Sequence, residues 1–454
     1  MKRLAIITTH PIQYNAPFFR KLAESGEIDL KIFYTWDKGA GDKHDPGFGQ
    51  TVEWDIPLLE GYPYIFVKNI SVRPGSHHYK GIICPALIDE IKVYHPDAIL
   101  IYGWHFHAHL RAMRYFKGKI PVWFRGDSTL LDYDFKTFKD VWSFFKNKSQ
   151  VSETSKHEAF EVSLKPKPLK IEFLNHKLQI TNYFIAIFSF FKFTFRKLYL
   201  TNIYRHIDKA FYVGIHNKAY FKAHGLKEEQ LVHMSHAVDN QFFSLHHDAR
   251  EKTARDWRKT LGITDNDFVV LFAGKFEPKK NPELLVKAII EINEQAITTS
   301  HLQNFKFSKF QIHLIMVGNG ILEQELRHLT DTKKYIHFLP FQNQTNMPVV
   351  YRLGNVFCLP SISETWGLGL NEALASGRPV IASDKVGGAP DLITDGVNGY
   401  IFQSNNQREL QGKIMLAIKL VASEFDDISI VETMKKSFSM KLNTQVLIKC
   451  LFKH

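Results

Sequence analysis

Short apolar runs alternate with helical stretches along most of the chain, and this pattern predicts parallel sheets whose strands are joined by crossover helices. In the first half, the runs that read as strands are Leu4–Thr8, Leu30–Tyr34, Ala98–Tyr102, Val122–Phe124 and Ala210–Val213. A polar, charged connector at 246–260 follows, and the pattern then restarts. The strands predicted after it are Phe268–Phe272, Ile312–Val317, Val356–Leu359 and Pro379–Ala382. We therefore predict an α/β protein with two Rossmann-like, doubly wound domains.

The restart of the pattern sets the predicted domain limits. The first domain is expected to span 1–245, with a basic, aromatic insertion at about 134–204, and the second to span 246–429. A C-terminal helix at about 430–454 is expected to pack back on the first domain. Because ligands of open α/β sheets bind beyond the carboxyl ends of the strands, we expect the chemistry in the loops that follow the strands.

Composition narrows the class of protein. The chain has 454 residues, of which 44 % are hydrophobic, so a packed core is expected and wholesale disorder is excluded. Three widely separated cysteines exclude a disulfide framework and fit a reducing compartment, which favours the cytoplasm. The apolar run Leu4–Ile7 is shorter than the ~7–15 residues of a signal peptide's apolar region. No stretch approaches the ~20 apolar residues of a membrane-spanning helix.

Much of the net charge of +12 sits in the insertion, because Lys136–Lys197 contains twelve Lys or Arg and five Asp or Glu residues. On a helical period its second half has a narrow, mostly polar stripe beside a wide aromatic face. The stripe consists of Asn182, Ala186, Ser189, Lys192 and Arg196. Such a helix can lie in a membrane interface, where anionic lipids attract its cations. A core helix with solvated lysines has the same pattern, so both interpretations stay open, whereas no recognisable nucleic-acid module is present.

The most informative segment, Pro360–Ser383, reads as strand end, loop, helix, turn and strand. Glu364 lies in the loop and Glu372 lies about one turn into the helix, with seven residues between them. The helix is predicted to start near Gly367, where free N–H groups and the positive end of the helix dipole suit a phosphate. Two isolated acids would be solvated surface groups, but their placement around a glycine-rich helix start favours a site for a sugar phosphate.

A second segment, Gly274–Pro282, directly follows a buried strand. Lys275 and Lys280 are five residues apart on the predicted turn and can clamp a diphosphate or neutralise a departing one. A charged surface turn is the alternative interpretation of a lysine cluster considered alone.

Together these segments resemble glycosyltransferase family 4 of the two-domain GT-B type, over about residues 261–403. The motifs that carry the resemblance are Gly274-Lys275 with Lys280, Val317-Gly318-Asn319-Gly320, Pro360-Ser361 with Glu364 and Glu372, Gly387-Gly388, and Asp395-Gly396 with Asn398-Gly399. Lys275 stands where the family usually has Arg, and Asp391 stands where Glu is common. The N-terminal half resembles a subgroup of the family more loosely, and His10-Pro11-Ile12-Gln13 replaces the glycine pair often found in the first loop.

The resemblance implies a retaining transferase whose two domains face a central cleft and which needs no metal or cofactor, with a nucleotide diphosphate sugar as co-substrate. Glu364 would hold the hydroxyls of the donor sugar and Glu372 the ribose. The other donor-binding residues it implies are Lys275 and Lys280 at the diphosphate, the N–H groups of Gly367 and Leu368 at phosphate, and Gly318 and Asn319 near the base.

Five residues are predicted to be catalytic: Glu364, Lys280, His105, Arg125 and Asp127. Two more, His10 and Gln13, are predicted on the acceptor side because they follow the first strand. An ion pair between Arg125 and Asp127 at a strand end is the structural alternative. The histidines around His105 do not predict a metal site, because no helix or strand would place them on one ligand face.

The sequence therefore predicts an enzyme, a hexosyltransferase-like protein of family 4 that acts in surface polysaccharide biosynthesis. It would transfer sugar to a glycan or lipid-linked acceptor, in the cytoplasm or peripherally on the inner face of the cell membrane, and would bind no nucleic acid. The alternative is a non-catalytic relative that binds a nucleotide sugar or scaffolds a complex at the membrane surface. The presence of Glu364, Glu372 and Lys280 argues against this alternative.

Overall fold

The computed structural model describes residues 1–37, 43–45, 50–133, 191–298, 311–423 and 426–453. Within them, two parallel sheets are covered by helices, so the predicted α/β class with two Rossmann-like domains is confirmed. The exact domain limits stay a prediction. The strands of one sheet lie between residues 2 and 233, and those of the other lie between residues 268 and 402.

The first sheet has seven parallel strands in the order β5-β2-β1-β6-β7-β8-β9. Their bounds are β1 Lys2–Thr8, β2 Ile28–Tyr34, β5 Tyr64–Phe66, β6 Ala98–Tyr102, β7 Val122–Arg125, β8 Lys209–Tyr212 and β9 Leu231–His233. A separate antiparallel pair consists of β3 Lys43–Asp45 and β4 Gln50–Val52.

The second sheet has six parallel strands in the order β12-β11-β10-β13-β14-β15. Their bounds are β10 Phe268–Ala273, β11 Ile312–Val317, β12 Ile336–Leu339, β13 Val356–Leu359, β14 Val380–Ser383 and β15 Gly399–Phe402. Leu271 in the central strand β10 lies opposite Ile315 on one side and Phe357 on the other. All three side chains are fully buried, as expected for a parallel sheet covered on both faces.

Helices connect the strands in both domains. In the first half of the chain they span Ala16–Glu24, Leu87–Tyr94, His107–Phe116, 191–204, Ile215–Ala223, Asn240–Ser244 and His247–Thr260. In the second half they span Pro282–Thr298, Glu323–Leu329, Met347–Arg352, Leu368–Ala375, Ala389–Leu392, Gln407–Ala422, Asp427–Ser437 and Met440–Phe452. The segment expected as a connector at 246–260 is thus a helix, and Ala254 is its one buried residue.

The last helix, Met440–Phe452, returns to the first domain. It contacts the helix Ala16–Glu24 and strand β1, and its Leu447 and Leu451 lie in the same buried cluster as Phe19. The helix Met440–Phe452 therefore packs on the first domain.

Polar contacts also join the two domains. The carboxylate of Asp391 accepts hydrogen bonds from the backbone N–H of Ile215 at 3.1 and 3.2 Å, at the start of the helix Ile215–Ala223. Burial raises the pKa of Asp391 to about 6, although the bond from Ile215 acts in the opposite direction. Asp391 thus satisfies a free N–H group at a helix start of the other domain.

The described part of the basic insertion is the helix 191–204, and residues 134–190, with Asn182, Ala186 and Ser189, lie outside the described residues. The inward face of this helix buries Phe193, Leu200, Ile203 and Tyr204. Its outward side exposes Phe191, Phe195, Leu198 and Tyr199, with Lys192 and Lys197. Arg196, in the predicted polar stripe, is half-buried, and its guanidinium donates to the hydroxyl of Tyr220 at 3.2 Å. Over the described ranges, no helix is both long and apolar enough to cross a membrane.

Candidate active site

A cleft between the two domains holds a cavity of about 420 Å³, which we call the central cleft. Its lining from the second domain comes from loops that follow strands β10, β11 and β13, and includes Gly274, Lys275, Lys280, Gly318, Glu364, Gly367, Leu368 and Glu372. Its lining from the first domain includes Gln13, Tyr14, Trp54, Asp127 and His236. The structure thus brings the two sequence motifs of the second domain together, at the carboxyl ends of its strands.

Two glycines allow the ends of strands β10 and β11 to lie side by side at the floor of the cleft. Gly274 and Gly318 have φ angles of 158° and 131°, which side chains rarely allow. A Cβ atom at Gly318 would lie 2.1 Å from the carbonyl oxygen of Gly274. The backbone itself therefore forms this part of the wall.

The helix Leu368–Ala375 begins in the cleft. Gly367 precedes it with a φ of 92°, and a Cβ atom there would lie 2.6 Å from Cγ1 of Val386. Gly367, Leu368 and Gly369 all line the cavity. The free N–H groups of this helix start, with the positive end of the helix dipole, form a site suited to an anion such as a phosphate.

Lys280 and Glu364 form an ion pair in the cleft. The side chains are only 19 % and 18 % exposed, so both charges are largely removed from water. Lys275 lines the same cavity. A cation and a carboxylate therefore lie together beside the helix start, as a clamp for phosphate and sugar hydroxyls requires.

Glu372 is 3 % exposed, and its Oε2 accepts a hydrogen bond from the Tyr351 hydroxyl at 2.6 Å. Burial raises the pKa of Glu372 to about 7, although the bond from Tyr351 acts in the opposite direction. Its Oε1 has no hydrogen-bond partner in the part of the chain that the structure describes. A buried oxygen without a partner is costly, so a ligand hydroxyl that donates to it would be favoured.

Because the ionised carboxylate is the better acceptor, affinity for a sugar nucleotide is expected to rise as the pH increases from 6 to 8. Binding would favour the charged form of Glu372. Since the pKa of Glu372 is about 7, the increase in affinity between pH 6 and pH 8 is expected to approach about tenfold. Calorimetric titration across this pH range measures it. The slope is expected to vanish in Glu372→Gln, and an equal slope in both proteins would contradict the role of Glu372.

The stability of the unliganded protein is expected to depend on pH in the opposite direction from its affinity for the sugar nucleotide. Since the folded-state pKa of Glu372 is raised, its contribution to stability is present below pH 4.5 and is lost as the pH rises through about 7.

Asn319 borders a neighbouring cavity of about 300 Å³, which shares Gly318 and Phe341 with the central cleft. Its side-chain oxygen Oδ1 is buried and makes no hydrogen bond within the described ranges. This end of the cleft is where the base of a nucleotide was predicted to lie.

The first domain contributes Tyr14 and Gln13 from the loop after β1. Burial raises the pKa of Tyr14 well above its usual value, and the nearby carboxylates of Glu372 and Glu364 add to the rise. Tyr14 therefore stays neutral between these two acids. His10 does not line the cleft. Its ring packs edge-on against Trp36, with 5.3 Å between the centroids.

Of the other predicted catalytic residues, Asp127 lines the cleft and Arg125 does not. Arg125 is 7 % exposed, and its guanidinium donates to the backbone carbonyls of Met234 at 2.7 Å and Ser235 at 3.1 Å. Burial lowers the pKa of Arg125 from its usual value. Arg125 thus supports the segment before His236, and no ion pair between Arg125 and Asp127 is found among the described residues.

His105 is not brought to the cleft. Its ring lies 3.8 Å from that of Phe106 and 5.9 Å from that of Trp104, measured between centroids. Burial is the main cause of its lowered pKa. Within the described residues, no three His, Cys, Asp or Glu side chains group as metal ligands would, and metal independence stays a prediction.

Several cleft residues were not predicted from the sequence: Tyr14, Trp54, His236, Tyr351 and Thr365. His236 follows the short strand β9, so the rule that placed Asp127 would have found it had β9 been recognised. Thr365 directly follows Glu364 in the loop. Tyr351 offers no such signal, because it reaches the cleft from within the helix Met347–Arg352.

Comparisons with known proteins agree with this geometry. Residues 253–424 match the family model described as glycosyl transferases group 1. The D-inositol 3-phosphate glycosyltransferase of Gordonia bronchialis is 31 % identical over 156 residues, 33 % of this chain and 32 % of that protein. A protein of the same name from a Mycobacterium species is 29 % identical over 188 residues, 40 % of each chain. The matches thus span well under half the length of these curated relatives.

Solved structures resemble the whole chain. Sucrose-phosphate synthase from Thermosynechococcus elongatus has a TM-score of 0.65 at 16 % identity, covering 100 % of this chain and 99 % of that one. HepE of Anabaena, solved with UDP and glucose, has a TM-score of 0.60 at 14 % identity, covering 100 % of both chains. At such low identity the likeness shows the fold.

Two Rossmann-like domains that face a shared cleft define the GT-B class, as the sequence predicted. Residues 253–424, in the second domain, are thus similar to the group 1 glycosyl transferases, and the whole chain has the GT-B fold.

Proposed function

We propose that this protein is a retaining glycosyltransferase of family 4 that moves a sugar from a nucleotide diphosphate sugar to a glycan or lipid-linked acceptor in surface polysaccharide biosynthesis. The observation that carries the proposal is the set of groups in the central cleft. A Lys280–Glu364 ion pair, the start of the helix Leu368–Ala375 and the buried Glu372 line one cavity.

These groups can perform the steps of sugar transfer. Lys275, Lys280 and the helix start would hold the diphosphate and stabilise the negative charge that develops as it leaves. Glu364 would accept hydrogen bonds from sugar hydroxyls, and Glu372 would accept them from the ribose. The acceptor hydroxyl would attack the face that the diphosphate leaves, and its proton would pass to a phosphate oxygen. Closure of the two domains over the cleft would limit attack by water.

The relatives suggest where a test should begin. The curated relatives are named as transferases to an inositol phosphate, and one structural neighbour was solved with UDP and glucose. UDP sugars are therefore the first donors to offer, followed by GDP and ADP sugars.

Release of nucleoside diphosphate from each donor, with and without glycan and polyprenyl-linked acceptors, tests the proposal. We expect one donor to be turned over faster when an acceptor is present, and proton NMR of the product to show the anomeric configuration of the donor. If calorimetry detects donor binding but no acceptor is modified, the non-catalytic alternative is favoured.

The helix 191–204 supports a membrane-bound acceptor. Phe195 and Leu198 are 75 % and 68 % exposed, and Lys192 and Lys197 flank them. Apolar side chains with adjacent cations are typical of a surface that lies in an anionic membrane interface. We therefore propose that the protein is peripheral on the inner face of the cell membrane.

The double variant Phe195→Ser/Leu198→Ser is expected to bind anionic vesicles at least about tenfold more weakly, because transfer of each apolar side chain out of water contributes about 1.5–3 kcal/mol when complete. Sedimentation with phosphatidylglycerol vesicles measures the loss. Ile428→Ser, which changes a side chain 70 % exposed on the second domain, is the matched control. Equal pelleting of the double variant and wild type would contradict membrane binding through this helix.

A further inference from the structure

A second cavity of about 280 Å³, which we call the side cavity, lies beside the central cleft. The two cavities share Tyr14, Asp127, His236 and Leu368. Asp127 and His236 therefore lie at the junction between the place predicted for the donor and a space on the side of the first domain.

Asp127 contacts both domains at this junction. Its Oδ2 accepts a hydrogen bond from Oγ1 of Thr365 at 3.1 Å, and Thr365 directly follows Glu364. Nε2 of His236 lies 3.8 Å from the same carboxylate oxygen. The carboxylate is thus held between the loop that carries Glu364 and an imidazole of the first domain.

His236 is itself held by three elements. Its ring packs against Trp366, with 5.6 Å between the centroids. Its backbone carbonyl accepts a hydrogen bond from the buried Asn371 at 3.3 Å, and Asn371 Oδ1 accepts one from Trp366 Nε1 at 2.7 Å. Arg125 fixes the two residues before it through their carbonyls. A side chain fixed in this way from both domains suits a positioning role.

We propose that His236 is a positioning residue for sugar transfer, which holds the Asp127 carboxylate at the junction of the two cavities, where the carboxylate accepts a hydrogen bond from the attacking acceptor hydroxyl. This inference rests on the proposed function. The hydroxyl oxygen forms the bond to the anomeric carbon, the bond from that carbon to the diphosphate breaks, and the proton goes to the diphosphate. Asp127 orients the hydroxyl and keeps no proton, and His236 acts only through Asp127.

The ionisation of the pair fits this role. Burial would raise the pKa of Asp127, but the nearby imidazole of His236 and the hydrogen bond from Thr365 outweigh this effect, and the net pKa is lowered. Burial lowers the pKa of His236, and Asp127 opposes this effect. Within the described ranges, Arg125 also faces His236, and its charge adds to the lowering of the pKa of His236. Near neutral pH the carboxylate is therefore charged and ready to accept a hydrogen bond.

The test compares His236→Leu, which removes the polar ring, with His236→Gln, which keeps an N–H group. His236→Leu is expected to transfer sugar about 10–100-fold more slowly with an unchanged donor dissociation constant and an unchanged rate of donor hydrolysis. His236→Gln should recover most of the transfer rate. His233→Gln, three residues away on the exposed end of β9, is the matched control and should behave as wild type.

The pH profile and a double variant separate positioning from a structural role. Without His236 the pKa of Asp127 rises, so the acid limb of the transfer rate is expected to move to higher pH in His236→Leu. Asp127→Asn/His236→Leu should be no slower than Asp127→Asn alone, because both changes remove one coupled unit. If His236→Leu does not fold, His236→Asn, which is polar but too short to reach Asp127, takes its place.

Wild-type transfer by His236→Leu would overturn the inference, as would a parallel loss of donor binding, hydrolysis and transfer. If wild type binds and turns over no sugar nucleotide, the proposed function fails first and this inference fails with it. The two failures are distinguished by the wild-type protein. It transfers sugar if only the role of His236 is wrong, and it is inactive if the proposed function is wrong.

Discussion

Lys280→Met is expected to lower the turnover of the sugar donor about 10²–10³-fold, the usual cost of removing one group that stabilises developing negative charge. The ammonium group lies in the central cleft with its charge largely removed from water, so solvent cannot replace it. The substitution also leaves the Glu364 carboxylate without its ion-pair partner, and the unpaired negative charge of Glu364 would repel a diphosphate. Release of nucleoside diphosphate under saturating donor measures the effect on kcat.

Lys287→Met is the matched control for this change. Lys287 forms an ion pair with Glu283 on the helix Pro282–Thr298 and is 49 % exposed, so turnover should stay within about twofold of wild type. Wild-type turnover by Lys280→Met would remove Lys280 from the site. A similar loss in Lys287→Met would mean that net charge, and not the clamp, is responsible.

Gly318→Ala is expected to lower the free energy of unfolding by about 2–5 kcal/mol and to abolish donor binding. The added Cβ atom would lie 2.1 Å from the carbonyl oxygen of Gly274, and φ is 131°. The end of β11 would have to move away from β10, and this movement would open the floor of the cleft. Chemical denaturation and calorimetric titration measure the two effects.

Gly396→Ala separates crowding from backbone strain. Gly396 also has a positive φ, of 78°, but nothing lies within 4 Å of its added Cβ atom. Gly396→Ala is expected to lower the free energy of unfolding by only about 1 kcal/mol and to leave donor binding intact. Equal losses in the two variants would show that the close approach of Gly318 to Gly274 does not matter.

The second domain could be predicted closely from the sequence because its signals are local. Glu364, Gly367 and Glu372 lie in one loop and the helix after it, and their spacing alone places them around a helix start. Each neighbouring strand is a continuous buried run, so strand ends could be read directly. Lys280 meets Glu364 because both follow adjacent strands of a parallel sheet.

The first domain could be predicted less well, because position after a strand does not fix the direction of a side chain. Arg125 is the last residue of strand β7 and Asp127 follows the strand, yet Arg125 reaches the carbonyls of the segment near residue 234 and Asp127 faces the cleft. His105 turns toward Phe106. Strand β9 is only Leu-Val-His, too short to form an apolar run, so His236 behind it was missed.

Contacts between the domains leave no local pattern in the sequence. Thr365 and Asp127 are 238 residues apart in the chain, and Ile215 and Asp391 are 176 apart. Their pairing depends on how the two sheets face each other, and one sequence carries no signal for that.

Thermal unfolding with a panel of nucleotide diphosphate sugars tests the central claim most directly, that the central cleft binds such a donor through its diphosphate. We expect one donor at 100 times its dissociation constant to add about 2.7 kcal/mol to the free energy of unfolding of wild type. Most of this gain should be lost in Lys280→Met and kept in Lys287→Met. No stabilisation by any sugar nucleotide, or an equal gain in all three proteins, would contradict the account.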